Sequence, residues 1–436
     1  MPRPQPPAAH DPDAPDDGPS AAEAASHARD LRGAARLAAE ATTGLTDLVE
    51  ALHSRIASLP GVAGPADGRT RGITGLVYKS IRGVTRVVGA SVDTLLGALT
   101  PALAPRAGAE PPGLPSPERE AIVAALNGVL GDHLARTANP LAIRMSFRHA
   151  GRALPDGRAA LAGALPEAGE KLLVLVHGLC MNDLQWRRDA NGTDRPLVHD
   201  HGAALATALG FTPIYLHYNS GLHVSTNGRA LASQLERLLH EWPRPIARFA
   251  IVGHSMGGLL ARSALHYGRA AGQHWPDRLD DLAFLGTPHH GAPLERAGQG
   301  LDLLLSATPY AAPLGRLAKL RSAGITDLRH GNLLDEAWVG GDRFERSVDR
   351  RKPVPLPAGT RCYALAATTG DAAGDLKDRL LGDGLVPLAS ALGRHRLARR
   401  TLKFLPEHQR SLARTNHLQL LSSPEVFEQL RRWLAH

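Results

Sequence analysis

The stretch FAIVGHSMGGLLARSAL, residues 249–265, decides the fold. Phe249–Val252 is a short apolar run that reads as a strand. Gly253-His254-Ser255-Met256-Gly257 interrupts it, and a helical pattern begins at once. A serine placed there projects from a tight strand-to-helix turn. Gly253 and Gly257 lack a Cβ where neighbouring backbone must pass closely. The helix N-terminus beneath the serine offers free N–H groups and a positive dipole end where an oxyanion would form. The pattern G-x-S-x-G is common by chance. The strand-to-helix context gives it meaning, and Ser255 reads as a nucleophile.

Outward from this turn, strands alternate with helices. The runs LAIRMSFRHAG, KLLVLVHG (171–178), TPIYLHYN, RFAIVGHS and DLAFLGTP read as strands, with helices near 199–209 and 226–241 and after Ser255. RCYALAATTG (361–370) and TLKFLPE (401–407) read as further strands. SPEVFEQLRRWLAH reads as a closing helix with Ser423 as N-cap and Pro424 at its first position. The expected fold class is α/β, with a mostly parallel central sheet flanked by helices.

A serine hydroxyl needs a base. In a sheet of this kind the partners follow the nucleophile as acid, then histidine. LLGDGLVPLASA (380–391) puts Asp383 between two glycines on a loop at the same edge, although Asp beside Gly is also ordinary turn chemistry. RTNHLQLLSSPEV (414–426) puts His417 before the last helix. Asp383 is assigned as the orienting acid and His417 as the general base. Asp371, Asp375, Asp378 and His408 are rivals. The N–H of Met256 would supply one oxyanion donor. The N–H of Leu179, after His177-Gly178 at the end of an earlier buried strand, would supply the other.

The segments VHGL, GHSMGG, GTPHHGA, DGLVP and NHLQL together resemble the α/β-hydrolase superfamily, and most of all its bacterial lipase and PGAP1-like esterase branch. The resemblance spans roughly residues 140–436. It implies serine ester hydrolysis of a small-molecule acyl ester, without a cofactor. Secreted bacterial lipases of this kind carry a calcium-binding Asp two residues after the catalytic His. Here that residue is Gln419, so no metal is expected. His289 and His290 lack further ligands at metal spacing, and the resemblance implies a structural loop beside the active site. Fold and triad leave a thioesterase, amidase or acyltransferase open.

The rest of the chain sets boundaries. Residues 1–20 are rich in Pro, Asp and Ala and read as a disordered tail. Residues 21–137 read as a helical N-terminal region, with helices at 27–58, 70–103 and 119–136, and residues 138–436 as the catalytic domain. Within the latter, 292–357 fits the strand–helix rhythm poorly and is a candidate cap. Its Leu301, Leu303, Leu304 and Leu305 suit either an acyl chain or a core helix. The stripe from Ile73 to Leu99 is amphipathic, with Arg71, Lys79, Arg82 and Arg86 interleaved. It could pack on the catalytic domain, which is the favoured reading, or dock on a membrane, lipid-droplet or granule surface.

The net charge is +8. Aromatic content of 4% and the lack of a nucleic-acid-binding motif argue against nucleic acid as a partner. Two isolated cysteines, the lack of a signal-like start and the lack of a long apolar run make a cytoplasmic location the expectation.

Overall fold

The computed structural model describes residues 30, 32–34, 117–189, 198–292, 322–339, 351–370 and 382–436. The segments 1–20 and 70–103, Leu301 to Leu305, and Asp371, Asp375 and Asp378 lie outside them.

Eight strands form one sheet: β1 (Ser146–His149), β2 (Arg152–Ala153), β3 (Lys171–Val176), β4 (Thr212–His217), β5 (Arg248–His254), β6 (Asp281–Leu285), β7 (Arg361–Ala367) and β8 (Gln409–Leu412). Their order is β8-β7-β6-β5-β3-β4-β1-β2. From β4 to β8 neighbours run parallel; β1 pairs antiparallel with β4 and with β2. The flanking helices are α1 (Pro117–Arg136), α2 (Arg158–Ala164), α3 (His201–Leu209), α4 (Val224–Glu241), α5 (Met256–Ala270), α6 (Ala323–His330) and α7 (Pro424–Leu434). A mostly parallel sheet with helices on both faces is what the alternation requires.

The central strands are apolar without interruption because both faces are covered. Leu172, Val174, Ile251 and Phe284 point to one core with α1, α4 and α5. Leu173, Leu175, Val252 and Leu285 point to the other, with α3 and α7. The alternation of neighbours between the two cores is the two-residue period of a strand.

One expected strand is displaced. Residues 401–407 form no strand; the pairing to β7 is made by Gln409–Leu412. Leu402 and Phe404 are buried and gave the earlier segment its strand-like look, but Pro406 starts a short 3-10 turn there. The true edge strand is largely polar. The closing helix starts at Pro424 as expected, although Ser423 makes no side-chain capping bond.

The helix expected near 119–136 spans Pro117–Arg136 and belongs to the main core, where Leu126, Val129 and Leu134 are buried. Asp30 reaches it through an ion pair with Arg119. Within the candidate cap 292–357, the described residues form α6 and a short 3-10 turn. Among the described residues, no helix is long and apolar enough to cross a membrane.

Candidate active site

β3, β5, β6, β7 and β8 run parallel, so the loops that follow them gather at one edge of the sheet. Gly253 lies at the end of β5, and the other site residues expected from the sequence lie on those loops or on the start of α5.

Ser255 follows β5 and precedes α5, with φ 53° and ψ −123°. A non-glycine residue holds such a conformation at a cost of about 1–3 kcal/mol, and only where its surroundings fix it. Here they do. Ser255 N donates to Leu285 O at 2.8 Å, and Gly258 N donates to Ser255 O at 3.1 Å. A Cβ on Gly253 would lie 2.7 Å from Gly258 N, and one on Gly257 would overlap the carbonyl oxygen of Val176. Ser255 is one of five described non-glycine residues with positive φ. Two others, Cys180 and Arg414, stand on the loops after β3 and β8, so strain collects around this edge.

Asp383 and His417 meet. Their carboxylate and imidazole are 2.6 Å apart, His417 Nδ1 to Asp383 Oδ2, and both side chains are fully buried. A carboxylate only accepts, so Nδ1 carries the hydrogen and Nε2 is left as an acceptor. The other oxygen, Oδ1, accepts from Leu385 N at 3.0 Å and Val386 N at 2.8 Å. His417 N donates to Asp383 O at 3.0 Å, which pins the two loops together. Gln419 Oε1 accepts from Asn416 N at 2.8 Å, so the amide at this position braces the turn that carries His417.

The structure does not join Ser255 to His417 by a hydrogen bond. Ser255 Oγ and His417 Nε2 are both buried, and neither has a partner. The rival His408 sits on the 3-10 turn before β8, with its ring 4.4 Å from Tyr363.

The loop after β3 passes directly over the serine: a Cβ on Gly178 would lie 3.0 Å from Ser255 Cβ. Leu179 follows it and is fully buried. Cys180 N donates to Ser220 Oγ at 3.0 Å. Met256 opens α5, so its N–H has no acceptor within the helix. His177 stacks on Tyr218 at 4.3 Å, and Tyr218 donates its hydroxyl to His177 O at 2.9 Å. Burial pushes the His177 imidazole down to about 3, so it is neutral.

Three contributors were not legible in advance. His254 donates Nε2–H to His417 O at 3.1 Å, and its ring lies 4.7 Å from that ring, tilted by 45°. Burial, then the neighbouring His417, lowers its pKa well below the usual range and keeps it neutral. Gly286, from GTPHHGA, has φ 57°, and a Cβ there would lie 3.1 Å from both Asp383 Oδ2 and His417 Nδ1. The sequence signal was the glycine that ends β6.

The third contributor is α1, which packs against the loops of the site. A Cβ on Gly128 would overlap Cys180 Sγ, and one on Gly131 would overlap Asn219 Oδ1. Near it, Glu120, Asp183 and His217 bring ligand-type atoms together. Arg148 Nη1 already donates to Glu120 Oε2 at 2.7 Å and to Asp183 Oδ1 at 3.2 Å, so a guanidinium already engages both carboxylates. The group ties α1 to the loop after β3. His289 and His290 are likewise engaged by protein. Arg262 donates to His289 Nδ1, and His290 Nε2 donates to Gly393 O at 3.0 Å.

Sheet order, strand directions and flanking helices define the α/β-hydrolase fold. Residues 167–345 match the family model of the PGAP1-like alpha/beta domain, the branch that the motifs resemble. No curated protein matches the chain. Among solved structures, the mature lipase BlEst2 of Bacillus licheniformis is similar at 19% identity and a TM-score of 0.38, over 61% of this chain and 91% of that one. Lipase B of Aspergillus fumigatus is similar at 13% identity and 0.38, over 65% of this chain and 59% of that one. An esterase of Pyrococcus furiosus is similar at 13% and 0.34, over 62% and 83%.

Proposed function

We propose that the protein is a serine hydrolase that cleaves carboxylic esters, lipid-like acyl esters foremost, through an acyl-enzyme. The observation that carries this reading is the fully buried Asp383–His417 pair beside a strained Ser255, with Ser255 Oγ and His417 Nε2 both unengaged. Catalytic hydrogen bonds are often long before substrate binds.

In the proposed reaction, Ser255 Oγ attacks the ester carbonyl while His417 Nε2 takes its proton. Asp383 holds the tautomer and stabilises the imidazolium. The N–H groups of Leu179 and Met256 bind the oxyanion, each contributing about 3–4 kcal/mol in the transition state. The proton passes from His417 to the leaving alcohol as the carbon–oxygen bond breaks. Water, activated by His417, then attacks the acyl-enzyme and releases the acid. A thiol leaving group, or an acceptor other than water, would use the same groups.

A nitrophenyl ester series from short to long acyl chains tests this. The expected result is turnover that Ser255→Ala abolishes. Folded protein that cleaves no ester of the series would overturn it.

A further inference from the structure

Arg262 stands on α5 and is only 4% exposed, yet among the described residues no carboxylate pairs with it. It donates to the Val354 carbonyl through Nη2 and to His289 Nδ1 through Nη1 at 3.3 Å. Its Nε has no partner. Burial lowers its pKa to about 10. His289 is 2% exposed, and burial lowers its pKa well below the usual range. Because its Nδ1 accepts from Arg262, its Nε2 carries the hydrogen, and that hydrogen has no acceptor.

Both side chains line a cavity of about 610 Å3. Lys352, Arg399 and Lys403 also line it, with Arg351 and Arg400; among the described lining residues the carboxylate is Glu336, which Lys352 holds at 2.8 Å. Ser255, Asp383 and His417 do not line it. A desolvated guanidinium without counter-charge is costly, and so is a buried donor without an acceptor. A compact multivalent anion in the cavity supplies the missing counter-charge, and guanidinium groups match phosphate oxygens in pairs.

We propose that this cavity is a binding site for a phosphate group, as a diphosphate or a phosphate monoester, held by Arg262 and His289 at its base and by Arg399 and Lys403 at its rim. The phosphate belongs either to a soluble ester or to the headgroup of an anionic phospholipid. The site is separate from the ester-cleaving centre. The two are linked by one short segment: Gly286 abuts the Asp383–His417 pair, and His289 reaches the cavity.

The test uses the full chain. Calorimetry measures binding of inorganic diphosphate, and sedimentation measures binding to phosphatidylcholine vesicles with and without phosphatidic acid. The variants are Arg262→Gln, the rim pair Arg399→Ala/Lys403→Ala, and an equal charge change elsewhere, Arg431→Ala/Arg432→Ala. The rim residues are exposed, so that pair stays informative if Arg262→Gln fails to fold. The expected result is diphosphate binding weakened about tenfold or more by the rim pair and unchanged by the control pair. Binding to phosphatidic acid vesicles alone, with the same dependence on the rim pair, would assign the site to a headgroup. Binding of neither ligand, or equal loss in the rim and control pairs, would overturn the proposal.

Discussion

His417 Nδ1 lies 2.6 Å from Asp383 Oδ2, and neither side chain has exposed surface. The second carboxylate oxygen is committed to two backbone N–H groups, from Leu385 and Val386. Asp383 therefore cannot rotate away without leaving buried donors unpaired, and the imidazole is held in one tautomer with Nε2 as an acceptor.

Asp383→Asn tests that arrangement. The amide oxygen can still accept from Leu385 and Val386, so the loop should survive. Its NH2 group then faces the imidazole and selects the wrong tautomer. The expected fall in kcat for ester hydrolysis is about 10⁴-fold, with an unchanged circular dichroism spectrum. A loss smaller than tenfold would remove Asp383 from the triad.

Gly286→Ala places a methyl group 3.1 Å from both atoms of the same bond, at a positive φ that also disfavours alanine. A displacement of that bond by a fraction of an ångström should lower kcat by about 10²-fold. Gly163→Ala, whose Cβ would meet nothing within 4 Å, is the matched control and should leave kcat unchanged.

Removal of residues 1–137 should yield no folded enzyme. That deletion takes α1, whose Leu126, Val129 and Leu134 are buried in the core beneath the site loops. The single change Leu126→Ala should cost about 2–5 kcal/mol in denaturant unfolding. A soluble, cooperatively melting fragment 138–436 would contradict this packing.

Acidification should destabilise the fold before most carboxylates titrate. Burial lowers His177 and His201 to about 3 and His290 to about 4, and it lowers His254 and His289 well below 6.5. Below pH 6.5 the unfolded chain binds protons at these positions that the folded chain does not. Stability is therefore full above 6.5 and falls as pH drops toward 3, by up to about 1.4 kcal/mol per pH unit for each such group. Thermal melts from pH 7 to pH 4 should show Tm falling steadily. A Tm independent of pH in that window would place these rings in a wetter setting.

The turn at Ser255 was legible because three local signals coincide there: an apolar run, a glycine-flanked serine and a switch to helical period. Asp383 and His417 were legible from their order in the chain. What failed was where burial and pairing part company. Residues 401–407 look apolar because Leu402 and Phe404 pack inward, while the strand that pairs with β7 is a polar edge, Gln409–Leu412, with no such pattern. Arg262 lies in a helix where its charge suggests solvent, and only the tertiary structure buries it. The contribution of α1 to the site was hidden for the same reason: the sequence predicts a helix there, not what it packs on.

The most direct test of the central claim is labelling with a fluorescent fluorophosphonate, with and without detergent because Ser255 is fully buried. Wild-type protein, Ser255→Ala and His417→Ala are compared, and the labelled peptide is identified by mass. The account predicts a single adduct on Ser255 that is lost in both variants. A folded wild type that stays unlabelled in both conditions, or a label that persists in Ser255→Ala, would contradict it.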